Sequence, residues 1–413
     1  MKAEIISIGD ELLVGQVINT NASWMAARLN LAGIEVVRIV AIPDQKGEIM
    51  MSLKEASVRA DVVLITGGLG PTRDDITKNT LCEYFGSKLI LHEPSLQYVK
   101  KIFHDRGLHL RAINRRQAEI PDNCTPIINN KGTAPGMWFE KDGVVFISLP
   151  GVPFEMKAMI SDYVIPELSG RLNGIHIVHK MVLTQGVGES FLSETIKEWE
   201  DDLPAHIKLA YLPQPGIVRL RLSGRGEKMN DLAAEIDQHI NGLRALIPDQ
   251  IFGYGEETLE EVTGRLLKAK SLRLATAESC TGGYIAHLIT SIPGSSDYFT
   301  GSVIAYSNQV KMDSLGVQEE SLIQHGAVSE QTVREMADGV RKKYNTDYAI
   351  AVSGVAGPEG GTQEKPVGTT WIAIAGPEKT LSKKFQFVKN RQRNIRIAAL
   401  TALNMLRLML IKS

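Results

Sequence analysis

The stretch Thr276-Ala277-Glu278-Ser279-Cys280-Thr281-Gly282-Gly283 sets a small hydroxyl nucleophile just after an apolar run and just before two glycines. A serine in that position is expected at a helix N-terminus, exposed at the sheet edge, and it needs a base, because a free hydroxyl is a weak nucleophile. No histidine is placed to make a convincing triad: His287 falls on the following helix and His325 in a turn, and both read as structural or surface residues. Ala305-Tyr306-Ser307-Asn308-Gln309-Val310-Lys311 offers another partner, a tyrosine and a lysine at the end of a second apolar run. Serine–lysine chemistry requires a neutral amine, obtained by burial or by a neighbouring positive charge. Tyr306 could relay the proton or donate to a developing charge. Against this, most lysines are solvated and most tyrosines are packing residues. Cys280 is also nucleophilic in principle, but a free cysteine is most often a small buried residue, and we read it as packing behind the turn.

Two further loops suit anions. Ser353-Gly354-Val355-Ala356-Gly357-Pro358-Glu359-Gly360-Gly361 follows an apolar run, with Lys365-Pro366-Val367-Gly368 closing it and Lys365 available as a cation. Its backbone N–H groups suit a phosphate or an oxyanion, although a surface loop has the same composition. Near the other end of the chain, Thr66-Gly67-Gly68-Leu69-Gly70-Pro71-Thr72-Arg73-Asp74-Asp75-Ile76-Thr77 joins an apolar strand to a helix. Its spacing is neither a Walker A nor a Rossmann fingerprint. Asp74 and Asp75 suit a hard divalent cation, and equally suit the first turn of a helix. Gly9-Asp10-Glu11-Leu12-Leu13, Gly132-Thr133-Ala134-Pro135-Gly136 and Leu149-Pro150-Gly151-Val152-Pro153 are turns that a doubly wound sheet can bring to the same edge.

The elements that position these loops follow from periodicity. Residues 1–165 alternate strands (Ile5–Ile8, Val36–Ile42, Val62–Ile65) with helices, which predicts a parallel sheet covered on both faces. Pro166, Gly170 and Gly174 interrupt the chain, and about 80 residues of α+β texture follow. From Leu259 onward strands and helices alternate again, ending in a helix from about Arg391 to Leu410 with a broad apolar face. We expect an α/β protein of three domains: a doubly wound domain at 1–168, a small α+β domain at 169–250 and a second α/β domain at 251–413.

Composition narrows the roles. The 413 residues carry 46 Lys+Arg against 47 Asp+Glu, a formal charge of −1, which argues against nucleic acid held by bulk attraction. No stretch reaches the ~18 apolar residues of a membrane span, and no secretory signal is visible. Three scattered cysteines suggest a reducing compartment, so the expected location is cytoplasmic.

Gly67-Gly68-Leu69-Gly70-Pro71-Thr72 with Asp74-Asp75-Ile76-Thr77, Gly9-Asp10-Glu11-Leu12-Leu13-Val14-Gly15 and Pro150-Gly151-Val152-Pro153 resemble the amino-terminal domain of the CinA family, which is similar to molybdopterin-binding (MoCF-like) folds. The resemblance implies a phosphate-rich ligand and a metal-dependent ADP-ribose pyrophosphatase. Its phosphate site would comprise Gly67, Gly68, Gly70, Thr72, Thr77, Gly132, Thr133 and Gly136, and its divalent metal ion would be held by Asp10, Asp74 and Asp75. Residues 258–411 resemble the nicotinamide mononucleotide (NMN) deamidase domain, with the Ala-Glu-Ser-Cys-Thr-Gly-Gly, Tyr-Ser-Asn-x-x-Lys, Gly-x-Ala-Gly-Pro-x-Gly-Gly and Lys-Pro-Val-Gly motifs in family order. That resemblance implies catalysis by Ser279, Tyr306 and Lys311 without a cofactor. It implies substrate contacts from Glu278, Thr281, Gly282, Gly283, Gly354, Ala356, Gly357, Lys365, Gly368, Arg391 and Arg393. The family places a KH-like domain in the middle, but no basic GXXG loop is present there, so a spacer or dimerisation role is expected. The resulting expectation is a homodimeric hydrolase of pyridine-nucleotide salvage acting on NMN and ADP-ribose. The alternatives are a competence-associated binding protein without catalysis and a molybdopterin-binding protein.

Overall fold

The computed structural model describes residues 1–412 apart from positions 71, 73, 74, 106, 108, 110, 173 and 175, and excluding the side chains of 112 and 113. The chain forms two compact units, Met1–Val178 with Gly224–Ala233, and His179–Ser223 with Ala234–Ser413.

In the first unit, β1 (Lys2–Ile8), α1 (Thr20–Leu31), β2 (Glu35–Ile42), α2 (Lys46–Arg59), β3 (Val62–Thr66) and α3 (Thr77–Phe85) alternate as the periodicity predicts. They are followed by β4 (Thr125–Ile127), β5 (Gly136–Lys141), β6 (Val144–Leu149) and α4 (Pro153–Met159). The strand order is β2-β1-β3-β6-β5-β4. The first four strands are parallel, whereas β5 and β4 add antiparallel. The sheet is therefore mixed rather than wholly parallel. The two-residue link Asp142-Gly143, with φ of 53° and 81°, allows only an antiparallel hairpin there. Val62–Thr66 is buried on both faces, as a central strand under two helical layers must be.

The second unit contains a four-stranded sheet and a five-stranded sheet. The four-stranded sheet comprises β7 (His176–Gln185), β8 (Ile207–Gln214), β9 (Ile217–Gly226) and, after α5 (Met229–Leu246), β10 (Ile251–Tyr254), in the order β8-β9-β7-β10. The chain then forms α6 (Leu259–Ala269), β11 (Leu274–Glu278), α7 (Tyr284–Thr290), β12 (Phe299–Ile304), α8 (Asn308–Leu315), α9 (Glu330–Tyr344), β13 (Tyr348–Gly354), β14 (Thr369–Ala375), β15 (Thr380–Gln386) and α10 (Arg391–Lys412). Strand order is β12-β11-β13-β14-β15, parallel around β11 and antiparallel from β13 outward. A capping box at Thr258 and Glu261 starts α6.

By length and apolar composition α10 could cross a membrane, yet it is a core helix here. Ala399, Leu403, Leu406 and Leu410 are fully buried, each leucine stabilising the fold by about 1.5–3 kcal/mol. Its polar residues bind the small sheet. Asn404 donates to the Gln185 side chain at 2.5 Å, and Gln185 donates to Thr401 at 3.1 Å. Buried Arg407 donates to Asn404 and to the carbonyls of Ile251 and Asp249, at 2.7, 3.1 and 2.5 Å. Removing that guanidinium orphans the buried Ile251 carbonyl and the Asn404 side-chain oxygen. Arg407→Ala should therefore destabilise the second unit by about 2 kcal/mol or more, read as a lower urea midpoint at unchanged slope.

Candidate active site

β11 ends at Glu278, and Ser279 opens the turn that leads to α7. The Ser279 N–H donates to the Val352 carbonyl of β13 at 3.0 Å, tying the turn to the neighbouring strand. Gly282 and Gly283, at φ of 60° and 95°, complete the turn in the left-handed region, where a side chain is strained. Lys311 enters from the first turn of α8, which Ser307 caps. Its Nζ lies 3.1 Å from Ser279 Oγ and donates to the carbonyl of Ala305 at 2.8 Å, with that of Tyr306 at 3.4 Å. Lys311 is 1% exposed and Ser279 9%. Burial lowers the Lys311 pKa from its ordinary 10.5. The structure thus joins the serine and the lysine directly, with the amine biased toward its neutral form.

The other expected residues separate into groups. Tyr306 is 62% exposed, and its hydroxyl accepts from Arg391 Nη2 at 3.1 Å rather than meeting Ser279. Arg391 also donates to the Gly357 carbonyl at 2.8 Å, so it links the tyrosine to the β13–β14 loop. Gly354 backs onto Cys280, whose Sγ would lie 3.1 Å from a Cβ at that position. Burial pushes the Cys280 thiol up to about 12, consistent with packing and not with nucleophilic chemistry. Thr281 is buried, and its hydroxyl has no partner among the described atoms. Ala356 and Gly368 lie in the same loop, closed by the Gly368 N–H to the Val355 carbonyl at 2.8 Å.

Two further expected contacts, Glu278 and Lys365, have side chains engaged by protein atoms, and a third, Arg393, is exposed. The fully buried Glu278 carboxylate accepts the N–H groups of Gly283, Ile285 and Ala286, leaving it facing protein rather than ligand. Lys365 donates to the His325 carbonyl at 2.6 Å, capping the helix Glu319–His325. The Arg393 side chain is exposed on the first turn of α10. The sequence reading also missed Asn394. This asparagine is 2% exposed and donates to the carbonyls of Ala356 and Val388 at 3.0 and 2.7 Å, fastening the loop to α10. An amide inside an otherwise apolar helical face was its signal.

In the first unit a cavity of about 480 Å³ opens at the carboxyl ends of β1, β3 and β6, lined by Glu11, Asp44, Gly67, Gly68, Asp75 and Thr133, among others. Asp75 accepts the N–H groups of Gly70 and Thr72 at 2.8 Å each, together with the Thr72 hydroxyl, and so shapes its own loop. Asp74 lies outside the described residues. Asp10 donates its backbone N–H to Asp44 at 3.3 Å. Burial raises the Asp44 pKa, and the charges of Asp10, Glu11 and Asp75 push it the same way. Among the described residues no three acids, histidines or cysteines form a ready metal cluster.

Thr77 is fully buried, with its unpartnered hydroxyl beneath Gly68, and supports the loop from behind. Gly132 takes the Asn129 side chain on its N–H at 2.8 Å. Gly136 is a strand residue among Ile127, Leu149 and Met159, so it belongs to the core and not to the phosphate loop. Asp44 was not read from sequence. It becomes visible only when β2 delivers it beside β1.

Comparison with known proteins assigns three matches along the chain. A probable molybdopterin binding domain matches residues 4–170, the damage-inducible protein CinA KH domain matches 179–253, and the CinA C-terminal domain matches 256–410. A CinA-like protein of Cytophaga hutchinsonii is 49% identical over 98% of this chain and 97% of its own. The chain belongs to the CinA family. A putative competence-damage inducible protein of Acetivibrio thermocellus is 40% identical over 98% of both chains. A solved CinA superfamily protein from Klebsiella pneumoniae is 34% identical, covering 38% of this chain and 100% of its own, with a TM-score of 0.37. The α/β, three-domain reading stands with these matches, and Ser279 and Lys311 both fall in the CinA C-terminal domain.

The glycine loop of the first unit is testable independently of any ligand. Gly68 has φ +64°, and a Cβ there would sit 2.1 Å from Thr77 Oγ1. Gly68→Ala should lower the stability of that unit by about 1–3 kcal/mol, whereas Thr77→Val, which removes an unpartnered hydroxyl, should be nearly neutral. Urea melts of the two variants check the contrast.

Proposed function

We propose that the second unit is an amidohydrolase that converts NMN to nicotinate mononucleotide and ammonia. The observation that carries this reading is the buried Lys311 amine, 3.1 Å from Ser279 Oγ. The choice of NMN rests on the motif resemblance in the CinA C-terminal domain. Ser279 Oγ attacks the amide carbonyl carbon while its proton passes to the neutral Lys311 amine. The amides of Cys280 and Thr281, which donate to no backbone carbonyl among the described residues, are the donors this reading assigns to the developing oxyanion. The tetrahedral intermediate expels ammonia, which takes its proton from the Lys311 ammonium. Water then adds to the acyl-serine, Lys311 accepts its proton and returns it to Ser279, and the carboxylate product leaves. Tyr306, held by Arg391, stands at the exposed side of the site and suits substrate orientation more than proton transfer.

A second reading is favoured for the first unit, where a glycine loop and mutually repelling acids share one cavity. We propose that it binds ADP-ribose and hydrolyses its diphosphate. The donor set fits a magnesium-like ion, which takes one or two carboxylates and completes its shell with water and substrate phosphate oxygens. Asp10 and Asp44 would hold it, where it would neutralise phosphate charge and acidify a water. The amides of Gly68 and Leu69 would receive the phosphates, since those of Gly67 and Gly70 donate to the Leu149 carbonyl and to Asp75. The Asp75 carboxylate, engaged by its own loop, keeps those amides in place.

Ammonia release from NMN in the presence of EDTA tests the first proposal. Ser279→Ala should lower the rate by ~10⁴-fold or more and Lys311→Ala by ~10²–10⁴-fold. Because burial lowers the Lys311 pKa, wild-type kcat/KM should rise with pH through a midpoint below 10.5. Release that survives Ser279→Ala would sink the serine mechanism. For the first unit, Asp44→Asn should raise the magnesium concentration needed for AMP release from ADP-ribose by ~10-fold or more. Bound pterin with no diphosphate cleavage would favour a carrier instead.

A further inference from the structure

We infer that Glu278 is a positioning residue whose carboxylate holds the turn that aims Ser279 at Lys311. The inference rests on the serine–lysine reading and goes beyond it by assigning the group that builds the nucleophile's geometry. Glu278 is the last residue of β11 and is fully buried. An isolated carboxylate in that position is costly unless hydrogen bonds compensate it. Three do. Oε2 accepts the N–H groups of Gly283 and Ile285 at 3.1 and 3.0 Å, and Oε1 accepts that of Ala286 at 2.8 Å. These amides belong to the end of the serine turn and the first turn of α7, where no intrahelical acceptor exists for them. The carboxylate thus bridges the residue before Ser279 to the residues that follow the turn. With the Ser279 N–H pinned to Val352, the serine is clamped from both sides.

The same bonds explain why an acid and a lysine, both buried beside one serine, do not form an ion pair. The hydrogen bonds of Lys311 go to Ser279 Oγ and to the carbonyls of Ala305 and Tyr306. Were Glu278 to turn toward Lys311, the ammonium would be stabilised and the base lost. Satisfying the carboxylate on α7 amides removes that competitor. Glutamine cannot reproduce the arrangement, because its NH₂ would face an N–H donor at one of the three contacts. Aspartate keeps the charge but is one methylene too short to reach all three.

The test uses the full chain with Glu278→Gln and Glu278→Asp. Ser279 reactivity is read by the rate of labelling with a fluorophosphonate, which needs no nucleotide. Alongside it, kcat and KM for NMN and the thermal midpoint are measured. Labelling rate and kcat should fall together by ~10–10²-fold, the cost of a nucleophile displaced by about 1 Å, while KM changes less than ~3-fold. The aspartate variant should fall between wild type and glutamine. A rise in KM with unchanged kcat and labelling would make Glu278 a substrate-binding residue and overturn the proposal. A lower thermal midpoint with both rates intact below it would reduce Glu278 to a purely structural cap. If the glutamine variant does not fold, the aspartate variant carries the same comparison. Wild-type labelling that persists in Ser279→Ala would instead remove the underlying serine reading.

Discussion

A lysine amine with almost no solvent exposure is disfavoured as a cation by burial, and Lys311 has carbonyls and a serine hydroxyl around it. That constraint organises the second unit. The Ala305 and Tyr306 carbonyls, just beyond β12, orient the amine. The cap at Ser307 sets the helix that delivers it, and the turn after β11 places Ser279 within reach. Glu278, a carboxylate in the same buried region, is compatible with a neutral amine because α7 supplies its hydrogen bonds. Charge is managed here by deciding which group each polar atom meets.

Both units use one architectural device. A parallel strand ends in a glycine-bearing turn, and a helix begins just beyond it. In the second unit the turn presents a hydroxyl to a buried amine. In the first it lines an open cavity together with the acids Glu11, Asp44 and Asp75. The chemical difference lies in what the neighbouring strands bring. β12 leads into Lys311, whereas β2 leads into Asp44, whose carboxyl is disfavoured as an anion by burial and by Asp10, Glu11 and Asp75.

The small sheet of the second unit is attached to the helix that covers the five-stranded sheet through buried polar contacts. Gln185, Asn404 and Arg407 form a chain that a purely apolar interface would not need. Such contacts specify one docking geometry at some cost in stability. They also explain why α10, apolar enough to resemble a membrane span, carries asparagine and arginine on its inner face.

Strand and helix order, the glycine turns, and the identities of Ser279, Tyr306 and Lys311 were legible in the amino-acid sequence. Periodicity and turn chemistry are local properties, and the motifs occur in short runs. Contacts between segments were not legible. The sequence leaves Glu278 and Lys365 as free charges near glycine loops, and it ranks Asp44 no higher than any turn aspartate. Only the tertiary structure commits Glu278 to α7, Lys365 to a helix end and Tyr306 to Arg391, and only it brings Asp44 beside Asp10. The reason is physical: a side chain's role depends on burial and on which polar groups surround it, and those are set by segments far away in the chain.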